Sequence, residues 1–243
     1  MRLGVIGTGT IASAVVRGIA GDGHQITVSE RSASHAAALA AEFDNVSVAD
    51  NQTVLDQSDV VFVALMTGVA RAVLGSLEFR ADQRVITFMG GATLAQADDM
   101  VSPATAVAIM MPFPGIAQGG SPIMMHGDAA LVGEIFGAHN SVFDLPNAEE
   151  MAAYLSAQAV LSPVVRMVDD AANWLGERVS DPAQGEEFLR VLVASNLMNT
   201  ACAPLIDALN TPGGYNQRLR LHMEQSGMGE ALEQGLNKLE RGE

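Results

Sequence analysis

Residues 3–12, LGVIGTGTIA, pass from a short apolar run into Gly7-x-Gly9-x-x-Ala12 and on into an alanine-rich stretch. No other feature of the chain restricts its fold as much. A buried strand that breaks at a glycine turn and enters a helix is the opening of a βαβ unit, and such units commit a chain to a parallel sheet with crossover helices. The rest of the first 145 residues keeps that rhythm. Apolar, β-branched runs at 3–7, 25–30, 46–49, 59–65, 84–89 and 105–111 are predicted strands, and segments 10–21, 33–43 and 68–77 are predicted helices between them. In the first of these helices Ile11, Ala14, Val15 and Ile19 recur at helical spacing, which predicts a face packed on the sheet.

After the Pro- and Gly-rich loop 111–122, the runs PIMMHG and SVFDLP are expected to add two edge strands. From Asn147 onward β-runs give way to helical patterns at 148–179, at 182–204 and after TPGGYN. Pro163 should begin or kink a helix, because it lacks an amide donor. Asp181-Pro182 reads as an N-cap followed by proline at the first helical position. The predicted fold is α/β: a Rossmann-type, doubly wound, mostly parallel sheet over residues 1–146, followed by an all-α domain over 147–243. That helical part is too apolar to satisfy itself alone, so a homodimer or higher homo-oligomer is expected.

Composition narrows the function. A formal charge of −15 opposes binding to a phosphate backbone, which depends on Lys and Arg releasing condensed counterions, and so excludes nucleic acid as the expected partner. The single cysteine, Cys202, and five scattered histidines give no metal-ligand spacing. The N-terminus has no basic region, and no run reaches about 18 consecutive apolar residues, so neither a signal peptide nor a membrane span is expected and the protein is read as cytoplasmic.

In a turn of this pattern the first glycine makes the bend, the second lets phosphate approach the backbone, and the small third residue lets helix and strand pack closely. Gly7, Gly9, Thr10, Ile11 and Ala12 are thus candidate contacts to the diphosphate of a dinucleotide, with free amides at the helix start. The second strand ends in Ser29-Glu30-Arg31-Ser32. Glu30, about 20 residues beyond the glycines, could bind the ribose hydroxyls of NAD, whereas Arg31 and Ser32 could hold the extra phosphate of NADP. Ser29 and Ser32, on either side of Glu30-Arg31, favour NADP, with NAD left open; the alternative is a solvated turn with no ligand. Ala64, Met66, Thr67 and Phe113 fall at strand ends, where a nicotinamide would lie.

With these features together the chain resembles the pyrroline-5-carboxylate reductase family. VIGTGTIASAVVRG is similar to that family's opening G-x-G-x-M-A and small-residue helix, SDVVFVAL to its fourth strand, ITFMGGATLAQ to its fifth, and LNTPGGYN to its Ser-Pro-Gly-Gly-Thr-Thr signature. The resemblance implies a dinucleotide-binding domain, a helical dimerisation and substrate domain, and hydride transfer from NAD(P)H to a cyclic imine, which in the family gives proline. The chain departs from the family's pattern in four segments. Ala64-Leu65-Met66-Thr67 stands where the family has Ala-Val-Lys-Pro, and Met111-Pro112-Phe113-Pro114 where it has Met-Pro-Asn-Thr-Pro. Ser156–Leu161 stands in place of a Gly-rich run that presents amides to the substrate carboxylate, and Tyr215-Asn216 in place of the threonine pair.

Imine reduction asks little of a protein beyond holding the iminium about 3–3.5 Å from the nicotinamide. Thr211, Tyr215 and Asn216 are the candidate catalytic residues, with Asn216 supplying both a donor and an acceptor. The alternative for this segment is a helix-capping turn with Thr211 as the cap. Arg166 and Asp169 could grip a carboxylate or pair with each other, and the methionines at 110, 111, 124 and 125 are expected to be filling. A β-hydroxyacid dehydrogenase is a second functional reading, but such an enzyme needs a basic lysine, and Lys238, near the C-terminal end, is the only lysine. A third is an NADP-binding protein without catalysis.

Overall fold

The first half of the chain alternates strand and helix: β1 (Arg2–Ile6), α1 (Thr10–Ile19), β2 (Gln25–Ser29), α2 (Ala33–Glu42), β3 (Val46–Ala49), α3 (Asn51–Asp56), β4 (Val60–Val63), α4 (Thr67–Leu74), β5 (Arg84–Thr87), α5 (Leu94–Val101) and β6 (Thr105–Pro112). Then come β7 (Pro122–Gly127), α6 (Ala129–Phe136) and β8 (Ser141–Asp144). The computed structural model describes all residues from Met1 to Glu243, which divide into two compact units, Met1–Ala152 and Ala153–Glu243.

One eight-stranded sheet in the order β3-β2-β1-β4-β5-β6-β7-β8 organises the first unit. Strands β1 to β6 pair in parallel, β7 runs antiparallel to β6, and β8 is parallel to β7. The order reverses between β1 and β4, the switch point at which ligands of open α/β sheets bind. The central strand shows why these runs are continuous rather than alternating in polarity. All of β4 is buried, with Val60 and Phe62 in one core and Val61 and Val63 in the other. Helices cover both faces, so a strand here has no face for water. Phe62 packs with Phe88 and Phe136 at ring-centroid distances of 5.5 and 5.8 Å, and its truncation would cost about 3–5 kcal/mol.

Only one of the two expected late edge strands is an edge. β7 lies between β6 and β8, with Ile123, Met124 and Met125 buried, and the sheet ends at β8 on that side and at β3 on the other. Its burial on both flanks removes unpaired backbone that an edge would expose. Met110 pairs opposite Met125 and Met111 opposite Met124, and all but Met111 are core.

α1 is buried along most of its length. At Gly18 a Cβ would fall 2.4 Å from the carbonyl oxygen of Ile116, in the 3-10 turn Pro114–Ala117, so glycine is what lets this helix and the turn meet. Caps set the other starts: Asp50 accepts from the Thr53 amide ahead of α3, and Thr93 and Gln96 form a reciprocal capping box at α5.

α7 (Ala148–Ala157) ends in a 3-10 turn, Gln158–Val160, and α8 (Leu161–Gly176) follows directly. Pro163 thus sits in the first turn of α8, where a missing amide costs nothing. α9 (Pro182–Asn199) begins as expected, with the Asp181 carboxylate accepting from the Gln184 amide and Pro182 at the first position. α10 (Cys202–Ala208), α11 (Tyr215–Gln225) and α12 (Met228–Glu240) complete the chain. Over Ala148–Gly176 the helical stretch is long and apolar enough to cross a membrane by length and composition, a coarser criterion than the unbroken apolar run considered above. It carries Arg166 paired with Asp170 at 2.6 Å and near Asp169 at 3.6 Å. Those charges mark α8 as amphipathic rather than apolar all round.

Candidate functional site

At the carboxyl ends of β1 and β4 the first unit opens a cavity of about 680 Å³. Of the residues singled out from sequence, Gly7, Gly9, Thr10, Ile11, Ala12, Ala64, Met66 and Thr67 line it, joined by Leu65, Gly68, Phe88, Gly90, Met111 and Pro112.

The glycine turn follows from sterics. Gly7 has φ +94°, and a Cβ there would lie 2.5 Å from the Ala64 carbonyl oxygen, so neither its conformation nor its neighbour admits a side chain. Gly9 differs. Its backbone is extended and a Cβ would meet nothing within 4 Å, so no protein atom requires glycine and the open space faces the cavity. Gly9 is also the N-cap of α1 and has no side chain with which to cap it. The Gly9 carbonyl accepts from Ser13, leaving the amides of Thr10, Ile11 and Ala12 without intrahelical acceptors. Ala12 is buried, as the small third residue of the motif should be.

A second helix starts at the same cavity. Met66 is the N-cap of α4 and is 81% exposed, while the Thr67 hydroxyl donates to the Gly90 carbonyl at 3.0 Å. Thr10 and Thr67 are the only lining residues with polar side chains. No lining residue titrates near neutral pH.

Glu30, Arg31 and Ser32 are not among the lining residues. They follow β2 directly, Glu30 and Arg31 exposed and Ser32 half-buried ahead of α2, and Arg31 makes no ion pair. Phe113 does not line the cavity either; it is half-buried at the start of the 3-10 turn. The walls missed from sequence, Phe88, Gly90, Met111 and Pro112, sit past or at the ends of β5 and β6. The strand-end rule that pointed to Ala64 and Met66 would have found them had it been applied to those strands.

Thr211, Tyr215 and Asn216 belong to the second unit. Thr211 is not a helix cap: the N-cap of α11 is Gly214, and the turn is closed by the Gly214 amide on the Thr211 carbonyl at 2.9 Å and the Gly213 amide on Gln217 Oε1 at 2.7 Å. Gln217 takes the capping work, which leaves the Thr211 and Asn216 side chains exposed and without hydrogen bonds, and Tyr215 91% exposed. Arg166 is paired with Asp169 and Asp170, and its guanidinium is held above its ordinary pKa first by the Asp170 hydrogen bond. Ser156–Leu161 is helical, spanning the end of α7, the 3-10 turn and the start of α8. Lys238 lies on α12.

Residues 2–91 match the family model described as NADP oxidoreductase coenzyme F420-dependent. No curated protein matches the chain. Among solved structures it is similar to 1-pyrroline-5-carboxylate reductase from Streptococcus pyogenes, at 23% identity and TM-score 0.82, over 99% of this chain and 98% of that one. It is also similar to Plasmodium falciparum pyrroline carboxylate reductase with NADP bound, at 13% identity and TM-score 0.82 over 99% and 96%. An imine reductase from Pseudomonas sp. aligns at 17% identity and TM-score 0.64 over 97% and 87%. With the glycine turn, the β1/β4 switch point and this full-length similarity in hand, the chain has the fold of the pyrroline-5-carboxylate reductases, the family its sequence resembles.

Proposed function

We propose that this protein is an NADPH-dependent reductase that transfers hydride to the C=N carbon of a small cyclic imine, in the manner of a pyrroline-5-carboxylate reductase. The observation that carries this is the cavity at the β1/β4 switch point, built from the glycine turn, two helix starts and an apolar wall. The residues fit the cofactor: Gly9 leaves open space where a side chain would block phosphate, and Thr10, Ile11 and Ala12 offer amides and the positive end of α1. Arg31 and Ser32 would take the 2′-phosphate, with Glu30 turned to solvent or to the ribose. Ala64 and Met66 would flank the nicotinamide. When bound, NADPH supplies the hydride.

The apolar wall also speaks to substrate class. Reducing a carbonyl creates an alkoxide that needs a proton donor, whereas a cyclic imine is readily protonated before hydride reaches it. The cavity in the first unit has no titratable side chain to act as that donor, so carbonyl reduction would have to draw its proton from Tyr215 or from water, whereas an iminium needs none. Thr211, Tyr215 and Asn216, whose polar groups are free of other partners, would orient the substrate.

A homodimer through the helical unit is part of the proposal. In Ala153–Glu243 only Ala172 is buried, while Trp174, Phe188, Val191, Leu192 and Leu219 are exposed. An all-helical unit with its apolar residues on the outside needs a partner surface, and a second copy supplies one by symmetry. The single, unbridged Cys202 fits a cytoplasmic setting.

The test is to follow NADPH absorbance with a panel of cyclic imines and 2-oxo acids. Turnover of an imine is expected. Turnover of 2-oxo acids alone would replace this assignment with a carbonyl reductase, and saturable NADPH binding with no turnover would make the protein a non-catalytic NADP binder.

A further inference from the structure

Two buried hydroxyls tie the glycine turn to the end of β2. The Thr8 hydroxyl donates to the Ser29 carbonyl at 2.7 Å and lies 3.2 Å from Ser29 Oγ, and Ser29 Oγ accepts from the Gly7 amide at 2.9 Å. Thr8 and Ser29 are 0% and 1% exposed. A buried hydroxyl costs stability unless it is bonded, and these two spend their bonds on each other and on the turn. Alanine or valine would fill the space without that requirement.

The bonds join two places that a single ligand would have to span. Thr8 stands between the two glycines, one residue ahead of the α1 N-cap, and Ser29 is the last residue of β2, one residue ahead of Glu30-Arg31-Ser32. The Gly7 amide, taken by Ser29 Oγ, is withdrawn from any anion, so the free donors at this end are those of the first turn of α1. We propose that Thr8 and Ser29 are positioning residues for the dinucleotide: their hydrogen bonds fix the separation between the phosphate-facing amides of α1 and the 2′-phosphate-facing segment 30–32. This rests on the NADPH reading above. The two residues touch neither phosphate; they act by holding the two ends in register, so that one rigid molecule engages both at once.

The experiment measures dissociation constants for NADPH and for adenosine 2′-monophosphate on the full chain, in wild type, Ser29→Ala, Thr8→Val and Thr8→Ser, with thermal melting to confirm folding. The fragment reaches segment 30–32 without bridging to α1. Ser29→Ala and Thr8→Val are expected to weaken NADPH about tenfold or more, about 1.4 kcal/mol, and to leave the fragment within about twofold; Thr8→Ser should bind NADPH as wild type does. Should Ser29→Ala fail to fold, the Thr8 pair carries the test. Unchanged NADPH affinity in Ser29→Ala and Thr8→Val, equal losses for NADPH and the fragment, or a Thr8→Ser as weak as Thr8→Val would each overturn the proposal. A folded wild type that binds the fragment but gains nothing from the rest of NADPH would overturn it too, and a folded wild type that binds neither would remove the cofactor reading itself.

Discussion

A Cβ placed on Gly7 would come within 2.5 Å of the Ala64 carbonyl oxygen, where the ends of β1 and β4 lie side by side, whereas one placed on Gly9 would touch nothing. The fold therefore requires glycine at position 7, whereas at position 9 only the proposed phosphate would. Gly7→Ala is expected to lower stability by about 2 kcal/mol or more, from the clash and the positive φ together. Gly9→Leu should melt near the wild-type temperature but lose NADPH binding, because its side chain would stand over the α1 amides. Calorimetry and thermal melts of both variants check this, and a Gly9→Leu with normal NADPH affinity would displace the phosphates from this turn.

Arg31 is exposed and has no acidic partner, so its charge is available to a ligand. If it holds the 2′-phosphate, Arg31→Ala should weaken NADPH about tenfold while leaving NADH within about twofold, since only the former carries the group. Titration with the two cofactors decides it.

Asn216 sits in the first turn of α11 with no hydrogen bond to the protein. Its removal should therefore cost little in folding. Asn216→Ala is expected to raise KM or lower kcat for the imine about tenfold, with melting temperature and NADPH affinity unchanged. Kinetics equal to wild type would strike Asn216 from the site.

Phe188, Val191 and Leu192 lie on one face of α9 and are 59%, 60% and 45% exposed in the single chain. Val191→Glu would put a charge in the middle of the face assigned to the second copy. Light scattering should show the variant shifting from dimer to monomer, together with lower helical content on dilution. A wild type that is monomeric at every concentration would contradict the dimer.

His24 is buried, and its Nδ1 lies 3.3 Å from the Met1 amine. Burial first and that positive amine second hold its pKa below the ordinary value, against smaller upward pulls from Asp22 and Glu134. An unfolded histidine takes up a proton near pH 6.5, whereas the folded one does so only at lower pH. The unfolded state therefore binds more protons as pH falls through that region, and stability is lost on acidification and unaffected above it. Melting temperatures of His24→Gln between about pH 7 and pH 5 should fall less steeply than those of wild type.

The sheet could be read from the chain because its strands are buried on both faces. A run such as Val60–Val63 has no reason to be apolar throughout unless helices cover it twice. The position of β7 could not be read in the same way. Its residues look alike at an edge or inside, and only the arrival of Ser141–Asp144 beside Pro122–Met125 decides between the two. The same contrast holds for the site. Gly7, Gly9 and Ala12 announce themselves through local backbone demands, and Ala64 and Met66 through their place at a strand end. Thr8 and Ser29 carry no motif, since their meaning is a pair of bonds across 21 residues of chain. The alternative reading of Thr211 as a helix cap failed because Gln217, four residues along from the Gly213 amide, closes the turn in its stead.

The contact of Gly18 with the Ile116 carbonyl has a mechanical consequence. The helix whose start lines the cavity is seated against the turn that follows Met111 and Pro112, two of its walls. With no room for even a methyl group between them, helix and wall move as one block, because packed interiors resist small adjustments. That side of the pocket is a fixed jaw, and any widening of the cavity would have to come from its other walls.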